Sequence, residues 1–219
     1  IGSTLVILGF TFFKKCRNFH LRIVVYISIV DILFSISFLL GRFWPAFCKA
    51  QPAFIQFCAT STLFWLFFLS FSIGEHFISL RPIDDVASVE PIMHFFAWGV
   101  PIVLVIVLYS TNMASEDVVW CWMNPRYAGW RFLYLYSLLI IVFLFLIFIY
   151  AFTLGHSIRI FLLARRASSS SHSRQLRNIY RMGLRFSWFL LAFIITWVFS
   201  VTYRIVNLAL PSKDIYVLI

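Results

Sequence analysis

The sequence predicts an all-α membrane protein, a seven-transmembrane helical bundle present as a piece from late in a first span to the start of a seventh. Composition is the first observation: 62% of residues are hydrophobic and 12% charged, with a mean hydropathy of +0.94. A soluble domain carries about twice that charge. The second is the length of the apolar runs, which are unbroken where a membrane β-barrel needs short alternating strands. The third is size: 219 residues hold six or seven spans of roughly 20 residues with short loops.

Residues 1–13 are apolar but too short to cross a bilayer and read as the remnant of a first span. With no initiator Met and no signal-cleavage pattern, the chain is expected to be an internal piece. Lys14, Lys15, Arg17 and Arg22 form a basic turn assigned to the cytosol. The second span is expected over 21–40, with Asp31 near its middle, and Arg42-Phe43-Trp44-Pro45 closes it. Cys48 stands beside the start of a third span over 53–78. From Cys48 to Glu75 a helix climbs roughly 40 Å, so the two lie at opposite faces. Pro82 breaks the turn from Arg81 to Asp85.

The fourth span is expected over 91–109, with a kink at Pro101 of the kind that bundles tolerate. An outer loop over 110–126 carries Glu116, Asp117 and Trp120-Cys121-Trp122. The fifth span, 132–158, opens among Trp and Tyr rings suited to the headgroup layer. A Ser-rich basic loop over 165–181 follows, then a sixth span over 183–208, a turn from Pro211 to Asp214, and the start of a seventh over 215–219.

Net charge is +10. In a membrane protein this reflects Lys and Arg gathered on the cytosolic side, not nucleic-acid binding. Of the 18 Lys and Arg residues, the inner segments hold Lys14, Lys15, Arg17, Arg22, Arg81, Arg159, Arg165, Arg166, Arg174, Arg177, Arg181 and Arg185. The outer segments hold Arg42, Lys49, Arg126, Arg131, Arg204 and Lys213. This bias predicts a multi-pass plasma-membrane protein with its N-terminus extracellular. No repeat at fixed spacing points to the duplicated halves of a transporter.

Cys48 and Cys121 both fall at the outer face, where an oxidising compartment favours a bridge. The alternative is two unpaired thiols. Asp31 is the only carboxylate in mid-span, where a charge costs at least about 2.5 kcal/mol. It reads either as an intramembrane polar hub that changes state between conformations or as a structural Asp satisfied by serines such as Ser35. Arg131 and Arg204, near the outer ends of the fifth and sixth spans, are the candidate anion-binding pair, since two guanidiniums can hold a phosphate or carboxylate in bidentate fashion. Snorkelling to the lipid phosphates is the competing role. Lys49, Trp120 and Trp122 complete the candidate ligand-binding set. Arg165-Arg166-Ala167-Ser168 has the form of a basophilic kinase site, with Ser168 the acceptor, or of a basic loop facing lipid. The five histidines are scattered, no C-x-x-C pair, P-loop or nucleophile motif is present, and neither a metal, a cofactor nor catalysis is expected.

Seven spans with a cysteine opening the third and its partner in the next outer loop resemble a G-protein-coupled receptor. Three stretches narrow the resemblance to the cyclic-AMP receptor family of social amoebae. They are Trp120-Cys121-Trp122 with Gly129-Trp130-Arg131-Phe132, Trp197-Val198-Phe199 with Arg204-Ile205-Val206-Asn207, and Trp98-Gly99 with Pro101. Cys48 and Trp65 keep the spacing of that family's third span. Ser72-Ile73-Gly74-Glu75-His76 stands where rhodopsin-like receptors carry an acidic-Arg-aromatic triplet, which argues against that class. Secretin-like and adhesion-like receptors are the nearest alternative.

The resemblance implies a cell-surface receptor that binds a small extracellular ligand, cyclic AMP or another anion, and activates a heterotrimeric G protein. The loop containing Arg165, Arg166, Arg177 and Arg181 is the expected G-protein contact. A transporter or channel would need several ionisable groups along a membrane path, and a retinal protein a Lys in mid-span. Asp31 alone, and lysines only at 14, 15, 49 and 213, favour neither.

Overall fold

A computed structural model of the protein describes residues 2–13, 18–79, 88–115, 121–123 and 128–166, with single helical positions at 188, 191, 195, 198 and 202. The rest of the sixth span, the seventh span and most of the basic loop lie outside the described residues. Residues 1–142 form one compact unit and 143–219 a second.

Helix α1, Gly2–Phe12, buries none of its side chains and lies along α2, Phe19–Phe43. Asn18, in extended backbone, precedes α2. Trp44 ends it, also extended (φ −132°, ψ 93°), because a residue before proline is forced out of the helical region. Pro45 then opens a 3₁₀ turn, Pro45–Lys49, which carries Cys48. Helix α3, Gln51–Ser79, begins two residues later with Pro52 in its first turn, where its missing N–H is not needed.

Helix α3 is the hub of the first unit and packs on both α2 and the next helix, α4, over 90–110. Ser61, Ser70 and Ser72 are buried on it. Small residues let membrane helices approach closely. Ser70 and Ser72 satisfy themselves by donating to the carbonyls of Leu66 and Leu69.

Helix α4 starts at Glu90–His94, passes through a π-helical turn at Phe95–Gly99, and continues as Val100–Ser110. The disturbance expected at Pro101 is taken up by that π turn: proline offers no N–H to the preceding turn, and widening it relieves the clash. Asn112, at φ 51°, ends the run. Ala114–Ser115 (β1) and Trp122–Met123 (β2) then pair antiparallel, Ala114 with Met123 and Ser115 with Trp122. This two-residue ladder is the one departure from all-α structure among the described residues.

Helix α5 opens with Ala128–Arg131, widens into a second π turn at Phe132–Tyr136, and runs on as Ser137–Arg166. Four of these helices are long and apolar enough to cross a membrane: Phe19–Gly41, Gln51–Glu75, Glu90–Ser110 and Leu133–His156. Helices α2, α3 and α4 alternate in direction. Cys48, Gln51 and Ser110 therefore share one end of the bundle, and Arg22 and Glu90 the other.

Candidate functional site

The disulfide end is built from connections made at close range. Cys48 and Cys121 are bonded, with Cα atoms 5.3 Å apart across 73 residues of sequence. Closing a loop of that length contributes about 4 kcal/mol in the chain-entropy model, an upper figure where lipid already restrains the unfolded chain. Beside the bridge, the buried Gln51 side chain accepts the Cys121 backbone N–H at 3.0 Å and donates to the Ser37 carbonyl at 3.4 Å. One amide thereby ties the loop to α3 and α2 together. The Tyr109 hydroxyl donates to the Lys49 carbonyl and fastens the end of α4 to the 3₁₀ turn.

Just beneath lies an apolar cluster of Ile55, Leu108 and Met113, flanked by Phe34, Phe38, Tyr134, Leu135 and Tyr136. Here the second π turn meets α3. A π turn disrupts the regular hydrogen-bond ladder, and two side chains supply donors to its carbonyls. Gln56 Nε2 reaches the Tyr134 carbonyl at 3.5 Å, and the Ser137 hydroxyl donates to that of Leu133 at 2.6 Å. Gln56 Nε2 also donates to Thr60 at 3.1 Å, while its Oε1 has no partner among the described residues.

Near mid-bundle, Trp65 has no exposed surface. The rings of Tyr26, His94 and Trp98 close on it at 4.8, 4.9 and 5.6 Å between centroids. From there a polar chain runs to the end opposite the disulfide. Trp98 Nε1 donates to His94 Nδ1 at 2.9 Å, and His94 Nε2 stands 3.9 Å from Glu90. Glu90 also pairs with Arg22 at 2.8 Å and accepts the Tyr26 hydroxyl at 3.5 Å. Arg22 and Tyr26 on α2, and Glu90, His94 and Trp98 on α4, recur every four residues. Each set forms one stripe, and the two stripes face each other.

Of the residues singled out from sequence, Lys49 is exposed on the 3₁₀ turn. The backbones of Trp122 and Arg131 fall in β2 and in the first turn of α5. Arg165 and Arg166 end α5, again by backbone. Trp120, Arg204, Ser168, Arg177 and Arg181 lie outside the described residues. Asp31 is half-buried in α2. The Ser35 hydroxyl, one of the serines that the structural alternative offers the Asp31 carboxylate, donates to the Asp31 backbone carbonyl at 2.8 Å, a bond within the helix.

Sequence reasoning passed over Gln51, Gln56 and the Glu90 stripe. Their signal was present, since amides and carboxylates within or beside a membrane span are costly and need partners. The partner of Gln51, 70 residues away, carries no local mark.

Comparison with known proteins adds the last observation. The family model of the slime mold cyclic AMP receptor matches residues 1–215. The chain is 26% identical over 223 residues to G-protein coupled receptor 1 of Arabidopsis thaliana, covering 99% of this chain and 67% of that one. It is 23% identical to cyclic AMP receptor 2 of Dictyostelium discoideum over 94% of this chain and 55% of the relative. It is also 23% identical to cyclic AMP receptor-like protein A of the same organism, over 97% of this chain and 53% of the relative. The chain thus spans about half to two thirds of the length of these relatives. Helices able to cross a membrane, a disulfide-tied loop and a match along almost the whole sequence agree, and the chain belongs to the slime mold cyclic AMP receptor family, a group of G-protein-coupled-receptor-like membrane proteins.

Proposed function

We propose that this chain is the membrane core of a plasma-membrane receptor whose disulfide end faces outward and binds a small anionic ligand, with cyclic AMP the first candidate. One observation carries the reading. The Cys48–Cys121 bridge holds the loop across one end of the bundle, where Lys49 and the backbones of Trp122 and Arg131 are also found. Arg131 and Arg204 are the proposed anion-holding pair, with Glu116 and Asp117 balancing their charge when no ligand is bound. Family membership and the basic bias of the opposite end support this orientation.

Ligand binding shifts the bundle toward a packing that engages a heterotrimeric G protein, and it does so only as far as the ligand prefers that packing over the resting one. The loop bearing Arg165, Arg166, Arg177 and Arg181 is the proposed contact, and phosphate on Ser168 would offset its charge. The test is cyclic-AMP-stimulated loading of a GTP analogue onto the G protein in membranes bearing the whole receptor. Replacing those four arginines by Gln should abolish stimulation while ligand affinity stays within about twofold, because the two faces are a bilayer apart. Full stimulation at equal surface expression would refute the assignment.

A further inference from the structure

We infer that Gln51 is a positioning residue for the ligand face, a second clamp on the loop that acts beside the disulfide. The inference rests on the reading above that this end of the bundle binds the ligand. Cys121 is held twice, through its sulfur to Cys48 and through its backbone N–H to Gln51 Oε1 at 3.0 Å. The disulfide fixes a side chain and leaves the peptide plane free to turn about it. The hydrogen bond fixes the peptide plane from which β2 begins at the next residue, Trp122.

Burial and fit make this contact more than a surface bond. Gln51 is 2% exposed, so water does not compete for either end of its amide. The other end donates to the Ser37 carbonyl of α2 at 3.4 Å. A neutral amide alone among side chains of this length offers a donor and an acceptor together: Glu keeps only the acceptor and Met neither. The space behind it is set by Gly41, where a Cβ would fall within 2.6 Å of Gln51 Oε1. The last turns of α2, the first residue of α3 and the loop strand therefore meet on one side chain.

Hydrogen–deuterium exchange of the segment containing Cys121, in the whole disulfide-bonded receptor in lipid nanodiscs, reads the clamp without any ligand. Gln51→Met should speed exchange about tenfold, the loss of one buried bond. Gly41→Ala, which displaces the amide without removing it, should move exchange the same way. Gln51→Glu keeps the acceptor for the Cys121 N–H but sets an oxygen against the Ser37 carbonyl, so it should speed exchange less than Gln51→Met does. Cyclic AMP affinity should weaken about tenfold in Gln51→Met at an unchanged number of sites and less in Gln51→Glu, in the same order as the exchange rates, a pattern that a merely structural loss would not give.

Unchanged exchange in both Gln51→Met and Gly41→Ala overturns the clamp. Raised exchange with wild-type affinity overturns its role in positioning the ligand face. A wild-type receptor that binds no cyclic AMP defeats the ligand reading instead, and the exchange comparison still decides the clamp.

Discussion

Among the described residues Trp65 is the largest side chain with no exposed surface, and three rings from two other helices close on it. In water, truncating such a residue loses both a transfer term and a cavity term. In lipid the first largely vanishes, because the surrounding chains are as apolar as the core. The cavity remains, so Trp65→Ala should lower unfolding free energy by about 2–3 kcal/mol, read by denaturation in mixed micelles. Trp65→Phe should cost less than half of that, since Nε1 has no partner among the described residues and its removal breaks no bond. Equal losses would show that the indole makes a hydrogen bond this account lacks. Glu90 invites a different experiment, because it serves Arg22, Tyr26 and His94 at once. Arg22 is 41% exposed, so its pair with Glu90 is partly screened. A double-mutant cycle of Arg22→Gln and Glu90→Gln should give a coupling of about 1 kcal/mol. Zero coupling would mean that the stripe is held by ring packing alone.

At the scale of elements, the two π turns set the character of α4 and α5. One sits directly before Pro101, and the proline explains it. The other, Phe132–Tyr136, has no proline, and the side chains of Gln56 and Ser137 reach its carbonyls. The Gln56 amide gives two bonds but buries an acceptor without a donor. These terms are of similar size, so Gln56→Leu should change stability by less than about 1 kcal/mol. Gln56→Glu sets a carboxylate against the Tyr134 carbonyl and should cost more than about 2 kcal/mol. A reversal of that order in thermal unfolding would mean that the turn does not depend on a donor at this position. The contrast also shows what a sequence can announce. Apolar runs, the proline turns and the cysteine pair are written locally, in composition and in single residues with narrow conformational choices. The π turn at 132–136 carries no such mark, because one of the two donors to its carbonyls lies 78 residues away. The β ladder is likewise two residues long, too short for an alternating pattern.

For the molecule as a whole, the two ends of α2, α3 and α4 are chemically unlike. One is closed by a covalent bridge and a buried amide, the other by an ion pair and a histidine that are partly exposed. Bonds of the first kind hold a shape, whereas those of the second exchange readily with solvent partners. On the proposed function the bridged end is the fixed binding face and the other the adjustable signalling face. On the same proposal the disulfide end is the ligand face, and Arg131 and Arg204 hold an anion there. Saturation binding of cyclic AMP to membranes bearing the whole receptor tests it most directly, with wild type compared against Arg131→Gln and Arg204→Lys. Wild type should bind saturably and each variant about tenfold or more weakly, because neither an amide nor a point charge replaces the planar guanidinium fork. Wild-type affinity in both variants would contradict it and leave the two arginines as interfacial anchors.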